Sequence, residues 1–128
     1  MKNILIATAI VTVFLCLLFP REVGYETGEF LCVIAEAKMD DLIRTGYFEH
    51  ENSNGCDFKC RIQDYHSEYN WIGENLYRGE CDIRTAMEMW GKSPTHKDVL
   101  DHSYSNEVIL SEEYQDGFCY IILIRAEL

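Results

Sequence analysis

The sequence predicts an α+β fold in which helices pack on a small, mainly antiparallel sheet. Residues 29–45 and 82–91 carry apolar side chains at helical spacing. Residues 107–112 and 118–125 are rich in strand-forming residues and enclose an Asp-Gly dipeptide, which is typical of a hairpin turn. Residues 120–124 are almost wholly apolar, as expected of a strand that is buried on both faces.

The helix predicted over residues 29–45 is amphipathic. Its apolar residues fall largely on one face, and these are Leu31, Ile34, Ala35, Leu42 and Ile43. Asp40, Asp41 and Arg44 fall outside that face. Gly46 is expected to end the helix, because glycine readily adopts the left-handed conformation found after helix C-termini.

Two further helices follow from their start signals. The helix over residues 82–91 begins with an aspartate that can cap its first turn. Ser93-Pro94 opens another short helix, since proline is favoured at the first helical position. A short helix over about residues 57–66 is also predicted, after a polar loop.

The N-terminal end of the chain predicts export. Residues 4–19 form an unbroken apolar run behind Lys2, which is typical of a secretory signal or a signal-anchor. No small-residue cleavage site follows the run, which favours an uncleaved anchor over a cleaved signal. We therefore divide the chain into a signal or anchor segment, residues 1–21, and one extracytoplasmic domain, residues 22–128. Membrane contact is expected only through the first segment.

The charge of the chain excludes one class of partner. The 128 residues carry a formal net charge of −11 at pH 7. Nucleic-acid phosphates are bound by clustered lysines and arginines, so nucleic acid is not expected as a partner. The acidic balance instead suits an exported domain that is kept soluble by its charge.

The cysteines agree with export. Cys16 lies within the apolar run, and five more lie outside it: Cys32, Cys56, Cys60, Cys81 and Cys119. These are expected to pair in an oxidising compartment, which leaves one over. Cys32 lies in the middle of a predicted helix and is the expected free thiol. The other four can be connected in three ways, among which the sequence does not choose, and a structural zinc site is the less favoured alternative.

Four short segments carry the candidate chemistry. They are Gly46-Tyr47-Phe48-Glu49-His50, Gly73-Glu74-Asn75-Leu76, Trp90 through Ser93-Pro94-Thr95-His96 to Leu100, and Asn106-Glu107-Val108-Ile109. In this order they resemble the CAP superfamily of cysteine-rich secretory, antigen 5 and pathogenesis-related proteins, and in particular its short bacterial SCP-like extracellular members. The resemblance covers roughly residues 29–125, and its G-E-N and W-x-x-S-P-x-H segments are specific when taken together.

The resemblance implies an α-β-α sandwich with two histidines and two acidic residues in one cleft. By position these are His50, Glu74, His96 and Glu107. Some family members bind zinc through the two histidines, so Zn²⁺ at His50 and His96 is the implied cofactor. Glu74 and Glu107 are the implied catalytic residues, each as a further ligand or as a general base. His96 would lie in the first turn of a helix, where the helix dipole disfavours a positively charged imidazole. His96 is therefore expected to be neutral, as a metal ligand must be.

The ends of the chain depart from the family. A further helix usually precedes the one matched to residues 29–45, so one helix of the sandwich is expected to be missing. The final strand also lacks the usual aromatic ending.

Each candidate residue also has a structural interpretation. Glu74 could hold its own loop through backbone hydrogen bonds, and Glu107 could be a solvated strand residue. His66 and His102 match no family position and are predicted to lie at the surface, whereas Tyr104 is predicted to lie in the core. Core or packing roles are likewise predicted for Trp90, Met87 and Met89.

Three functions remain after these observations. The preferred one is a binding or interaction module for a protein, small molecule or lipid, with zinc as its implied metal. The alternatives are a metal-assisted, peptidase-like hydrolase that uses the same residues, and a lipid or sterol carrier. No serine or cysteine lies in a recognisable catalytic motif, which favours a non-enzymatic function.

Overall fold

The computed structural model describes residues 29–63 and 69–128, which form four helices and one three-stranded sheet. The helices are α1 (Glu29–Thr45), α2 (Phe58–Ile62), α3 (Ile83–Gly91) and α4 (Pro94–Asp101), and the strands are β1 (Trp71–Glu80), β2 (Asn106–Gln115) and β3 (Phe118–Glu127). The predicted α+β class is therefore confirmed.

The sheet is antiparallel throughout and has the order β1-β3-β2. The central strand β3 is buried continuously from Cys119 to Ala126, which confirms the strand predicted to be buried on both faces. The β2–β3 hairpin turns at Asp116-Gly117, and Gly117 has the positive φ of 77° that favours glycine.

Helices cover both faces of this sheet. Side chains alternate along a strand, so neighbouring residues of β3 enter different cores. Ile122 and Ile124 pack with Leu31, Met39 and other residues of α1, whereas Ile121 packs with Trp90 of α3. The described residues therefore form a helix–sheet–helix sandwich.

The predicted helices begin and end close to where the sequence places them. Gly46 has a φ of 69° and follows α1, and its N–H donates to the carbonyl of Leu42 at 2.8 Å. Asp82 caps α3 by accepting a hydrogen bond from the backbone N–H of Arg84 at 2.9 Å. Pro94 is the first residue of α4, as predicted.

Strand β1 was not predicted from the sequence. Its segment around Glu74 was interpreted as a loop, but it pairs with β3 along its whole length. Two glycines, Gly73 and Gly79, together with the buried polar residues Glu74 and Asn75, remove the alternation of apolar and polar residues that normally marks a strand.

One prediction of burial was wrong. Tyr104 is 46% exposed rather than in the core. It lies just before β2, with the Arg125 guanidinium carbon 4.2 Å from the ring centroid. Asp41, which falls outside the apolar face of α1, is nevertheless buried, and Ser53 satisfies its carboxylate with two hydrogen bonds. Among the other packing predictions, Trp90 is buried but Met89 is exposed.

The structure shows which of the three possible connectivities the four remaining cysteines adopt. Cys56 pairs with Cys60, and Cys81 pairs with Cys119. The predicted free thiol at Cys32 is wrong, since Cys32 is also disulfide-bonded. This residue is partly buried and packs against the α1-face core.

Several predictions fall outside the described residues. They concern the segment of residues 1–21, the helix expected to be missing before residue 29, Cys16, His66 and the second half of the helix predicted over residues 57–66. Within the described ranges, no helix is both long enough and apolar enough to cross a bilayer.

Candidate functional site

Glu74 is the centre of a buried ionic cluster on the α1 face of the sheet. Its side chain is 1% exposed, and strand β1 directs it toward the segment that follows α1. Arg61 donates one hydrogen bond to each of its carboxylate oxygens, from Nη1 to Oε1 at 2.7 Å and from Nη2 to Oε2 at 2.8 Å. The Nδ1 atom of His50 lies 3.0 Å from Glu74 Oε1. Both oxygens of the carboxylate are therefore engaged.

Helix α2 places Arg61 beneath this carboxylate. A helix of five residues is too short to be stable alone, so local contacts must support it. Asp57 caps its first turn by accepting a hydrogen bond from the N–H of Cys60 at 2.8 Å, and the Cys56–Cys60 disulfide closes the same turn. Arg61 Nη1 also donates to the carbonyl oxygen of His50 at 2.8 Å, which links α2 to the histidine.

Two buried residues of α1 fasten the same segment from the other side. Lys38 is fully buried and donates from Nζ to the carbonyl oxygen of Glu51 at 2.7 Å. Asp41 accepts from the N–H of Ser53 at 2.9 Å and from its Oγ at 2.6 Å. The chain from His50 to Ser53 is thus tied to α1 and α2.

The charges in this cluster compensate one another. Burial alone would raise the pKa of Glu74, but the hydrogen bonds and charges of His50 and Arg61 outweigh it and hold that pKa below its ordinary value. Burial likewise opposes ionisation of Asp41, yet the hydrogen bonds from Ser53 keep its pKa lowered. For Lys38, burial and then the charge of Arg61 lower the pKa. Glu74 and Asp41 are therefore carboxylates at neutral pH.

The tautomer of His50 follows from this charge state. An ionised carboxylate only accepts hydrogen bonds, so Nδ1 of His50 carries the proton that points at Glu74. In the neutral form of the imidazole the remaining lone pair is on Nε2, and the side chain is 50% exposed. A carboxylate that orients an imidazole in this way leaves the other nitrogen ready to accept a hydrogen bond or bind a ligand.

His96 lies on the opposite face of the sheet, in the first turn of α4 as predicted. Its Nδ1 is 2.9 Å from the Oγ of Ser93, the residue that precedes the helix. Its carbonyl oxygen accepts a hydrogen bond from Asn75 Nδ2 at 2.9 Å. Asn75 directly follows Glu74 in β1, so successive residues of one strand hold the two histidine-bearing segments.

Glu107 is engaged by an arginine of its own. Arg125 Nε donates to Glu107 Oε2 at 2.9 Å, and Arg125 Nη1 donates to the carbonyl oxygen of Leu100 at the end of α4. Glu107 pairs with Arg125 in the sheet register, whereas Glu74 pairs with Ile124. Because adjacent residues of β3 face opposite ways, the two glutamates leave the sheet from opposite faces.

The four predicted site residues thus form one contacting pair, His50 and Glu74, with Glu107 and His96 held by other partners. Within residues 29–63 and 69–128, no group of three or more histidine, cysteine, aspartate or glutamate residues could hold a metal ion. Two buried cations, Arg61 and Lys38, also lie close to Glu74 and oppose a metal cation there. The donor set needed for a typical zinc site is therefore not assembled in this part of the chain. The catalytic and metal-binding roles of the four residues stay predictions.

Sequence reasoning missed the two cations of this cluster. Lys38 lies four residues after Ile34 and four before Leu42, both on the buried face of α1, so its position in the helical repeat was the available signal. Arg61 carries no comparable signal, because α2 is too short to show a periodic pattern.

Comparisons with known proteins support the fold. An outer surface protein from Borrelia burgdorferi superimposes with a TM-score of 0.67 at 19% identity, over 99% of this chain and 91% of that protein. An extracellular protein containing an SCP domain from Bacillus anthracis superimposes with a TM-score of 0.55 at 21% identity, over 73% of this chain. The match spans 30% of the Bacillus protein.

Sequence comparisons gave no match. No protein-family model matches the chain, and no curated protein matches it significantly. At these low identities the structural likeness shows the fold alone: the chain has an SCP-like fold, and membership of the CAP superfamily stays a prediction.

Proposed function

We propose that this protein is an extracytoplasmic binding module whose contact centre is the His50 imidazole. The observation that carries the proposal is the hydrogen bonding of Glu74. Arg61 and His50 occupy both of its oxygens, so the glutamate orients the histidine rather than taking a proton or a metal ion. His50 is then held in one tautomer, half-exposed, with Nε2 available to a partner.

Disulfides and fold neighbours support the extracytoplasmic location. Disulfide bonds persist in oxidising compartments and are rare in the cytosol, and this small domain has two that link described cysteines. The two similar structures come from an outer surface protein and an extracellular protein. An apolar run over residues 4–19, as an anchor or as a signal, is the proposed means of export.

The hydrogen bonding favours binding over hydrolysis. A hydrolase of the predicted type needs a carboxylate that is free to accept a proton from water. Glu74 is buried with both oxygens bonded, and Glu107 is bonded to Arg125. Glu74 would have to break its ion pair before it could act as a base, and Glu107 has one oxygen bonded to Arg125.

A peptide-library digest tests this assignment. We expect the wild-type protein and the Glu74→Gln and His50→Ala variants to leave the library equally intact, with His96→Ala as the matched histidine control. Cleavage by the wild type that both site variants lose would overturn the proposal in favour of a hydrolase.

Calorimetric titration with Zn²⁺ on the same variants tests the metal form of the module. A two-histidine site requires that His50→Ala and His96→Ala each abolish binding, because a single imidazole gives only weak coordination. Zinc binding that survives both substitutions would place the ion elsewhere in the chain.

A further inference from the structure

A ladder of stacked aromatic rings covers the α1 face of the sheet near the β2–β3 turn. The ring centroids of Tyr114 and Tyr120 are 4.3 Å apart and those of Tyr120 and Phe48 are 6.0 Å apart, both in stacked geometry. The guanidinium carbon of Arg78 lies 5.0 Å from the centre of the Phe48 ring. Phe118 lies two residues before Tyr120 in β3 and therefore on the same face.

This ladder lies beyond the end of α1 and reaches the surface. The buried residues of α1 extend only to Leu42, and the helix ends at Thr45. Tyr114 is 37% exposed and Phe118 is 43% exposed. Tyr114 is also the unpaired residue of the β2 bulge, and its ring stacks on that of Tyr120.

Carboxylates flank the ladder on both sides. The sheet register places Glu112 and Arg78 on either side of Tyr120, and Glu80 beside Phe118. Glu112 makes no ion pair with another described residue, and burial followed by the neighbouring Asp40 charge raises its pKa. Arg78 is the one cation in these two rows of the register, and its guanidinium already lies over Phe48.

The chemistry of this surface selects a cationic partner. Aromatic faces attract guanidinium and ammonium groups, and the flanking carboxylates add charge complementarity. The packing of Arg78 on Phe48 is an example of that contact within the molecule. The net charge of −11 acts in the same direction, since it repels acidic partners and attracts basic ones.

We propose that this hairpin-end surface, made of Phe48, Arg78, Glu112, Tyr114 and Phe118 over the buried Tyr120 ring, binds an arginine- or lysine-rich segment of another protein. The segment places its cations on the outer aromatic rings and against Glu112. The surface is separate from the His50 imidazole, so this proposal stands or falls independently of the function proposed above.

Fluorescence anisotropy with a labelled peptide of alternating arginine and serine tests the proposal, at about 0.15 M salt so that long-range attraction is screened. A peptide with glutamate in place of arginine is the control and is expected not to bind. We expect Tyr114→Ser, Phe118→Ser and Glu112→Gln each to weaken binding by about three- to tenfold, the range of one cation–π or ion-pair contact.

Matched variants on the other face of the sheet distinguish a site from diffuse attraction. Met89→Ser removes an equally exposed apolar side chain from α3, and Glu88→Gln removes an exposed charge from the same helix. Both are expected to leave affinity within about twofold of the wild type. No binding by the wild type, or equal losses in Glu112→Gln and Glu88→Gln, would overturn the proposal; circular dichroism confirms that each variant is folded.

Discussion

The two faces of the sheet each hold a glutamate–arginine pair, but they bury the glutamate to different degrees. On the α1 face, Glu74 is 1% exposed and Arg61 engages both of its oxygens. On the α4 face, Glu107 is 32% exposed, and the buried Arg125 makes one hydrogen bond to it. The same residue types therefore form a fully enclosed ion pair on one face and a pair with a partly exposed glutamate on the other.

The difference shows which pair the fold depends on. A buried charge must be compensated inside the protein, because removing one partner leaves the other without water and without an ion pair. An exposed charge regains water when its partner is removed, and the loss is small. The α1-face cluster is therefore expected to be structurally obligatory. On the α4 face the Glu107 charge is expected to contribute less, because the buried Arg125 has other partners in the Leu100 carbonyl oxygen and the Tyr104 ring.

Arg61→Ala is expected to cause the largest loss of stability. It leaves the buried Glu74 carboxylate without its main partner and frees the carbonyl oxygen of His50. We expect the free energy of unfolding to fall by about 3–5 kcal/mol, as measured by urea denaturation. Arg84→Ala in α3 is the matched control on an exposed arginine and is expected to change it by less than about 0.5 kcal/mol. A loss below about 1 kcal/mol for Arg61→Ala would contradict the obligatory role.

Acid should weaken the α1-face cluster selectively. The pKa of Glu74 is lowered from its ordinary value of 4.5, so its ionised form stabilises the folded protein above pH 4.5. That stabilisation is lost as the pH falls below 4.5 and through the lower folded-state pKa. The pKa of Asp41, lowered from 3.8, follows the same sign at lower pH.

Urea denaturation between about pH 7 and pH 3 measures this loss. Glu74→Gln is expected to be less stable than the wild type at neutral pH but to show a shallower decline below pH 4.5, because it has no charge to lose at this position. Parallel pH profiles for wild type and variant would contradict the assignment of an ionised Glu74.

The smallest expected effect is on the α4 face. Glu107→Gln keeps an oxygen that can accept from Arg125 Nε, and the buried Arg125 also keeps its hydrogen bond to the Leu100 carbonyl and its contact with the Tyr104 ring. The expected change in unfolding free energy is about 0–1 kcal/mol, measured in the same urea assay. A loss as large as that of Arg61→Ala would remove the distinction between the two faces.

The parts of the fold that the sequence predicts are those specified by local signals. Helix α1 follows from its apolar repeat and Gly46, α4 from Ser93-Pro94, and the hairpin from its Asp-Gly turn. Strand β1 carries no such signal, because its side chains at Glu74 and Asn75 are polar yet buried. Only its pairing with β3 makes it a strand.

The candidate site was predictable in part for a similar reason. A motif resemblance identifies His50 and Glu74, which the fold does bring together. The same resemblance cannot reveal that Arg61 forms an ion pair with Glu74, since this contact depends on how a five-residue helix docks against β1. Tyr104 shows an error of the opposite kind. This aromatic residue is predicted to lie in the core, but it is exposed and its ring lies against the Arg125 guanidinium.

The residues around His50 hold this segment through hydrogen bonds to its backbone. Lys38 and Arg61 hold the carbonyl oxygens of Glu51 and His50, which every amino acid possesses. Those two bonds would survive a change of side chain at position 50. Natural variation, or a designer, can therefore exchange the side chain at position 50 while keeping these two hydrogen bonds, so the chemistry displayed at this half-exposed position can change without a change of the backbone that presents it.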